Sequence, residues 1–167
     1  MFISFLGNWS DYINQTESAL MSEEDRVMNY NDKLVSLVSE CANANQVLYQ
    51  QFNADWASIE DITKALQNNI NICQNSIDRT LEIWDYEGDS SLKDVVVELL
   101  NMEIDYLDKF SKTTDYRDSD NITDENKEAY NSVITELNDA ENSLNQKFEE
   151  IQNVQEIFAE KYWFVLE

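Results

Sequence analysis

Three observations predict an all-α protein, an antiparallel up-down-up-down four-helix bundle. The 167-residue chain has no Pro and only two Gly, so its interior lacks nearly all strong turn punctuation. Apolar residues make up 43% and aromatic residues 11%, enough for a packed core and too many for a disordered acidic chain. Four segments repeat apolar residues at alternating steps of three and four, the spacing that lines one face of a helix. A β-sandwich or an α/β fold needs many more turns than this composition supplies. The length suits one domain over residues 1–167, with about 70% of the unfolded surface removed from water.

The first helix is predicted at about 22–52. Val27, Tyr30, Leu34, Leu37, Cys41, Ala44 and Leu48 form its stripe. Ser22 is positioned as N-cap, with Glu23, Glu24 and Asp25 in the first turn where the helix dipole favours negative charge. A polar turn over Gln50–Asp55 makes the next helix an antiparallel neighbour. That second helix, at about 56–84, carries Ile59, Ile62, Leu66, Ile70, Cys73, Ile77, Leu81 and Trp84.

Asp85-Tyr86-Glu87-Gly88-Asp89-Ser90 holds the only interior Gly, and Asp89 or Ser90 can cap a third helix at about 90–112. Its stripe is Leu92, Val95, Val96, Leu99, Leu100, Tyr106 and Phe110. An acidic connection over Thr113–Ile122 follows, with Thr123 as the expected cap of a fourth helix at about 123–163. That last stripe is the longest: Tyr130, Val133, Leu137, Ala140, Leu144, Phe148, Ile151, Val154, Phe158 and Tyr162. Over Asp124–Tyr162 it would run roughly 58 Å against about 30 Å for the third. Residues 1–20 are read as an N-terminal packing segment. Met1–Asn14 is expected to form a short helix whose Phe2, Phe5, Leu6 and Trp9 cover Phe158, Tyr162, Trp163 and Phe164 at the same end of the bundle.

The composition also excludes function classes. With no His there is no Ser-His-Asp or Cys-His nucleophile, no His-ligated metal and no imidazole proton step. The carboxylate–histidine di-iron site of helical bundles cannot be built. Two isolated cysteines exclude a Cys-rich metal site. In a hairpin turning near residue 54, Cys41 faces about residue 67. Cys73 is then displaced by roughly 9 Å along the helix, beyond disulfide reach, and both cysteines are expected as buried free thiols. No catalytic residue, cofactor or metal site is assigned.

The 34 Asp and Glu against 11 Lys and Arg give a formal charge of −23, which opposes direct binding to nucleic acid or to an anionic membrane face. Residues 1–84 carry −8 and residues 85–167 carry −15. The acidic second half marks a candidate surface for a basic protein partner: Glu103, Asp105, Asp108, Asp115, Asp118, Asp120, Asp124 and Glu125. Glu103 and Glu141 come nearest the buried face and are expected as stripe-edge residues with solvated heads. Neither acidic loop fits an EF-hand, since glycine and the bidentate Glu are missing from the required positions. Asp118, Asp120 and Asp124 could form at most a weak divalent site. Trp9, Trp56, Trp84 and Trp163 fall near predicted helix ends and are expected to pack there. The triplets at Asn8, Asn14 and Asn121 match the glycosylation acceptor pattern about as often as composition alone gives. No stretch is long and apolar enough to span a bilayer, and the brief apolar start lacks the basic region of a signal peptide.

Several segments together resemble a family of small helical bacterial proteins of Bacteroidetes and spirochaetes, described as surface proteins or lipoproteins of unknown function. They are Tyr30-Asn31-Asp32-Lys33-Leu34-Val35, Tyr86-Glu87-Gly88-Asp89 with Leu92-Lys93-Asp94, and Ile122-Thr123. The last group is Phe148, Gln152, Gln155 and Phe158-Ala159-Glu160-Lys161-Tyr162. The matches span about Val27 to Glu167. The resemblance implies a non-enzymatic bundle of the cell envelope or surface, periplasmic or extracellular, acting through protein–protein contact. Such proteins resemble exported lipoproteins with a lipid-modified cysteine, and here neither cysteine lies in the first 40 residues: either a leader with its lipid anchor lies outside the given sequence, or this is a relative that stays inside the cell. The alternative is a cytosolic acidic inhibitor, such as an immunity, anti-defence or nucleic-acid-mimic protein, that binds a basic partner.

Overall fold

The computed structural model describes residues 21–54, 57–116 and 122–162. The protein is an all-α antiparallel four-helix bundle: α1 (Glu23–Phe52), α2 (Ile59–Glu82), α3 (Ser91–Ser111) and α4 (Lys127–Tyr162), with a 3-10 turn at Thr114–Tyr116 after α3. The expected N-terminal helix over Met1–Asn14 lies outside the described residues.

Local chemistry sets the helix starts. Ser22 Oγ accepts from the Asp25 N–H at 3.1 Å, and the Asp25 carboxylate accepts from the Ser22 N–H at 3.3 Å. This is a reciprocal box that satisfies two donors otherwise orphaned at a helix start. Ser58 and Asp61 repeat it on α2. The Ser58 hydroxyl and N–H hold the Asp61 carboxyl below the usual range. At α3 the work is divided: the Asp89 carboxylate accepts from the Ser91 N–H at 3.0 Å, and the Ser90 hydroxyl donates to Asp94 at 2.6 Å. Thr123 does not cap α4. Its N–H is taken by the Asn126 side chain at 2.8 Å in a turn of its own, and the helix begins four residues later at Lys127.

The core follows the predicted stripes on α1 and α3 closely, with Val27, Leu34, Cys41, Leu48, Leu92, Val96, Leu99 and Leu100 essentially inaccessible. Fully burying one such leucine is worth about 2 kcal/mol. On α2 the buried face departs from the apolar stripe. Small polar residues, Asn69, Ser76 and Thr80, turn inward, while Leu81 is 59% and Trp84 90% exposed. Trp84 therefore does not pack into the bundle end as expected. The Cα atoms of Cys41 and Cys73 are 4.8 Å apart, an ordinary separation for a disulfide. Asn69, Ser76 and Thr80 lie in helical step with Cys73 on the buried face, and the Thr80 hydroxyl donates back to the Ser76 carbonyl at 2.7 Å.

Each helix packs chiefly on the next along the chain, α1 on α2, α2 on α3 and α3 on α4. α1 closes the bundle on two partners. Near its start it meets α4, where the Tyr30 and Phe158 rings lie 5.5 Å apart and Gln155 donates to Asn31 at 2.8 Å. Toward its end it meets α3, where Phe110 takes Tyr49 and Phe52 edge-on at 5.3 and 4.9 Å. Helix α4, 36 residues against 21 in α3, is roughly 54 Å long against 32 Å. Ion pairs Lys112–Glu136 and Lys147–Glu98 register it on α3. The extra turns therefore extend past both ends of α3, the first beyond its C-terminal end, where Tyr116 meets Tyr130 at 5.3 Å, and the last onto the turn that precedes it, where Tyr162 meets Tyr86 at 4.9 Å. Along α4 only Leu144, Phe158 and Ala159 are buried, and the rest of its stripe is half-buried.

Candidate functional site

The cysteines overturn the sequence expectation most directly. Cys41 and Cys73 form a disulfide, both fully buried, between α1 and α2. The expectation of free thiols failed on register. α1 runs to Phe52 and α2 starts only at Ile59, so the pairing midpoint between Cys41 and Cys73 is residue 57 rather than 54. A shift of three in the pivot moves the facing residue by six, from 67 to 73.

One helical turn from the disulfide lies a buried polar layer. Asn45 follows Cys41 by four residues on α1, and Asn69 precedes Cys73 by four on α2, so both residues stack on the disulfide. The Asn69 amide donates to the Ala44 carbonyl at 2.7 Å and reaches Asn45 Oδ1 at 3.5 Å. Asn45 Nδ2 in turn donates to Glu103 Oε2 of α3 at 2.6 Å. A further turn along, the Tyr49 hydroxyl of α1 donates to the Tyr106 hydroxyl of α3.

Glu103 is only 7% exposed, which corrects the expectation of a solvated head. Its position, four residues beyond Leu99 and three before Tyr106, puts it on the core stripe of α3. Among the described residues no lysine or arginine pairs with it. Burial pushes its carboxyl up to about 7, with the Asn45 bond pulling weakly the other way. Burial likewise raises the Tyr49 and Tyr106 hydroxyls above their ordinary value. Glu141, expected near the buried face, is exposed on α4 and acts on this tyrosine pair from outside.

The remaining acidic candidates do not converge. Asp105 and Asp108 are exposed on α3, Asp105 paired with Lys109. Asp115, Asp124 and Glu125 are exposed on the connection between α3 and α4. Asp118 and Asp120 lie outside the described residues, and among the described residues no group of three or more acids or cysteines could hold a metal ion. Trp9, Trp56 and Trp163 are also outside.

A second polar locus, at the end where α1 begins and α4 finishes, is built on the turn between α2 and α3. Tyr86 and Asp89 pair across Glu87 and Gly88, whose φ values are 52° and 80°. A left-handed Glu87 is backbone strain that only glycine avoids without cost. Asp89 takes the Lys161 ammonium of α4 at 2.5 Å. Burial alone would raise its carboxyl, but Lys161 and the Ser91 donors outweigh it and hold the group at about 2. An open cleft of about 680 Å³ lies beside it, lined by Glu23, Glu24, Glu87, Lys161 and Tyr162. Tyr30, Tyr86, Phe158 and Tyr162 form an aromatic cluster beneath, with centroids 4.7 to 6.0 Å apart.

Sequence reasoning named Glu103 and missed Asn45, Asn69 and Tyr49. The signal was the interval of four from each cysteine, hidden because stripe-reading selects apolar residues. Fold and site define a class, an all-α bundle with an inter-helix disulfide and a buried carboxyl layer stacked upon it. No family model, curated protein or solved structure matches the chain. No helix of the described residues is long and apolar enough to cross a membrane.

Proposed function

We propose that this is a non-enzymatic helical-bundle protein of the bacterial cell envelope or surface that acts through protein–protein contact. The observation that carries the reading is the buried Cys41–Cys73 disulfide. Such bonds form and persist in oxidising compartments and are rare where thiols are kept reduced. The same bond removes both sulfurs from thiolate chemistry, which together with the absence of His leaves the chain without the usual nucleophile pairs. The exposed acids on α3 and on the connection to α4 offer a basic partner a docking field felt most at low salt. The experiment is fractionation of the producing cell with thiol trapping at lysis. The expected outcome is protein in the envelope or exported fraction that takes up label only after reduction. Protein in the cytosolic fraction with both cysteines labelled without reductant would overturn the reading.

A further inference from the structure

The three helices that meet at Glu103 are not tied together equally. α1 and α2 are joined covalently by the disulfide, and Asn69 braces Asn45 one turn away. α3 brings Glu103 to that stapled hairpin and carries α4 with it through the Lys147–Glu98 and Lys112–Glu136 pairs. In the polar layer the only bond from α3 to Asn45 is the one accepted by the Glu103 carboxyl. We propose that Glu103 is a proton-operated latch between the stapled α1–α2 hairpin and the α3–α4 pair. With its proton the carboxyl sits neutral against Asn45 and the helices close. Without it a bare charge is buried where no described cation answers it, and α3 loosens from the hairpin.

The groups around it leave Glu103 to act alone. α1 presents Asn45 and Tyr49, α2 presents Asn69, and α3 itself adds Tyr106. α4 contributes only Glu141, an exposed carboxylate. The asparagines do not titrate, and both tyrosine hydroxyls are pushed further above neutrality. The chain has no histidine and both thiols are in the disulfide. Around neutral pH the layer therefore has one group whose charge changes.

The sign follows from linkage. The folded carboxyl titrates higher than an unfolded glutamate, so folding is favoured by the proton. That contribution is complete at pH below the unfolded value of about 4.5 and is lost as pH rises through about 7. Between pH 6 and 8 the folding equilibrium constant is expected to fall roughly tenfold from this group.

The test is equilibrium unfolding of the full oxidised chain at pH 6 and pH 8, beside Glu103→Gln. The expected result is a loss of about tenfold in the wild type, with Glu103→Gln changing by less than about twofold. Parallel losses in the two proteins would overturn the latch. Should Glu103→Gln not fold, the carbon resonance of the Glu103 carboxyl in the wild type decides. A midpoint near 7 supports the proposal, and one near that of free glutamate refutes it.

Discussion

Replacing both cysteines, Cys41→Ala with Cys73→Ala, is the perturbation whose size the structure fixes best. The two residues are 32 apart in sequence. Opening a loop of that length returns about 12 cal/mol/K of chain entropy to the unfolded state, or about 3.7 kcal/mol at 25 °C. For a chain of this size each kcal/mol moves the melting temperature by roughly 2–4 °C, so the loss is about 7–15 °C. The assay is thermal unfolding of the wild type and the double variant without reductant, with intact mass under denaturing, non-reducing conditions to count thiols. Because both sulfurs are fully buried, a second consequence is kinetic. Reductant should open the bond of the native protein only as fast as the bundle itself opens, and denaturant should accelerate it steeply. A double variant melting within about 2 °C of the wild type, or two free thiols in protein made under oxidising conditions, would refute the reasoning.

Two further outcomes test the bundle end. Glu87→Gly removes a side chain from a left-handed backbone position and is expected to stabilise by about 1 kcal/mol, read as a rise of 2–4 °C in melting temperature. Asp89→Asn removes the carboxylate that anchors Lys161, whose folded titration is held low at about 2 against an ordinary 3.8. Its stabilisation is therefore present above pH 4 and lost as pH falls toward 2. The variant should melt about 1–3 °C lower than wild type at pH 5, with the gap closing by pH 2, and a constant gap would count against the tie.

The fold was legible because its causes are local. Ser22 before three acids is a helix start whatever follows, and Leu92 to Phe110 reads as one buried face because each residue is apolar and correctly spaced. What sequence could not supply was the register between helices. Cys41 faces Cys73 because Ser58 opens α2, a few residues later than the start expected at about 56; the Ser58–Asp61 box carries that signal in the sequence, but a turn centred on residue 54 passes over it. Glu103 was visible as an acid beside the stripe. Its spacing from Leu99 and Tyr106 already placed it in the stripe, but the partner that receives it there, Asn45, comes from another helix 58 residues away. Leu81 and Trp84 misled for the complementary reason: apolar character argued for burial, while the positions in helical step with Cys73 are Ser76 and Thr80.

The neighbour-to-neighbour packing bears on how the chain is assembled. Each helix finds its principal partner in the segment just before it, so α2 can settle on α1 and α3 on α2 before α4 exists. Chains rich in such local contacts close small loops and fold quickly. Of the contacts α1 makes, those of Tyr30 and Asn31 with Phe158 and Gln155 await the last helix. A chain delivered from its N-terminus, by the ribosome or through a narrow export channel, could thus bury most of its apolar surface as it emerges, with the clasp at Tyr30 as the final act.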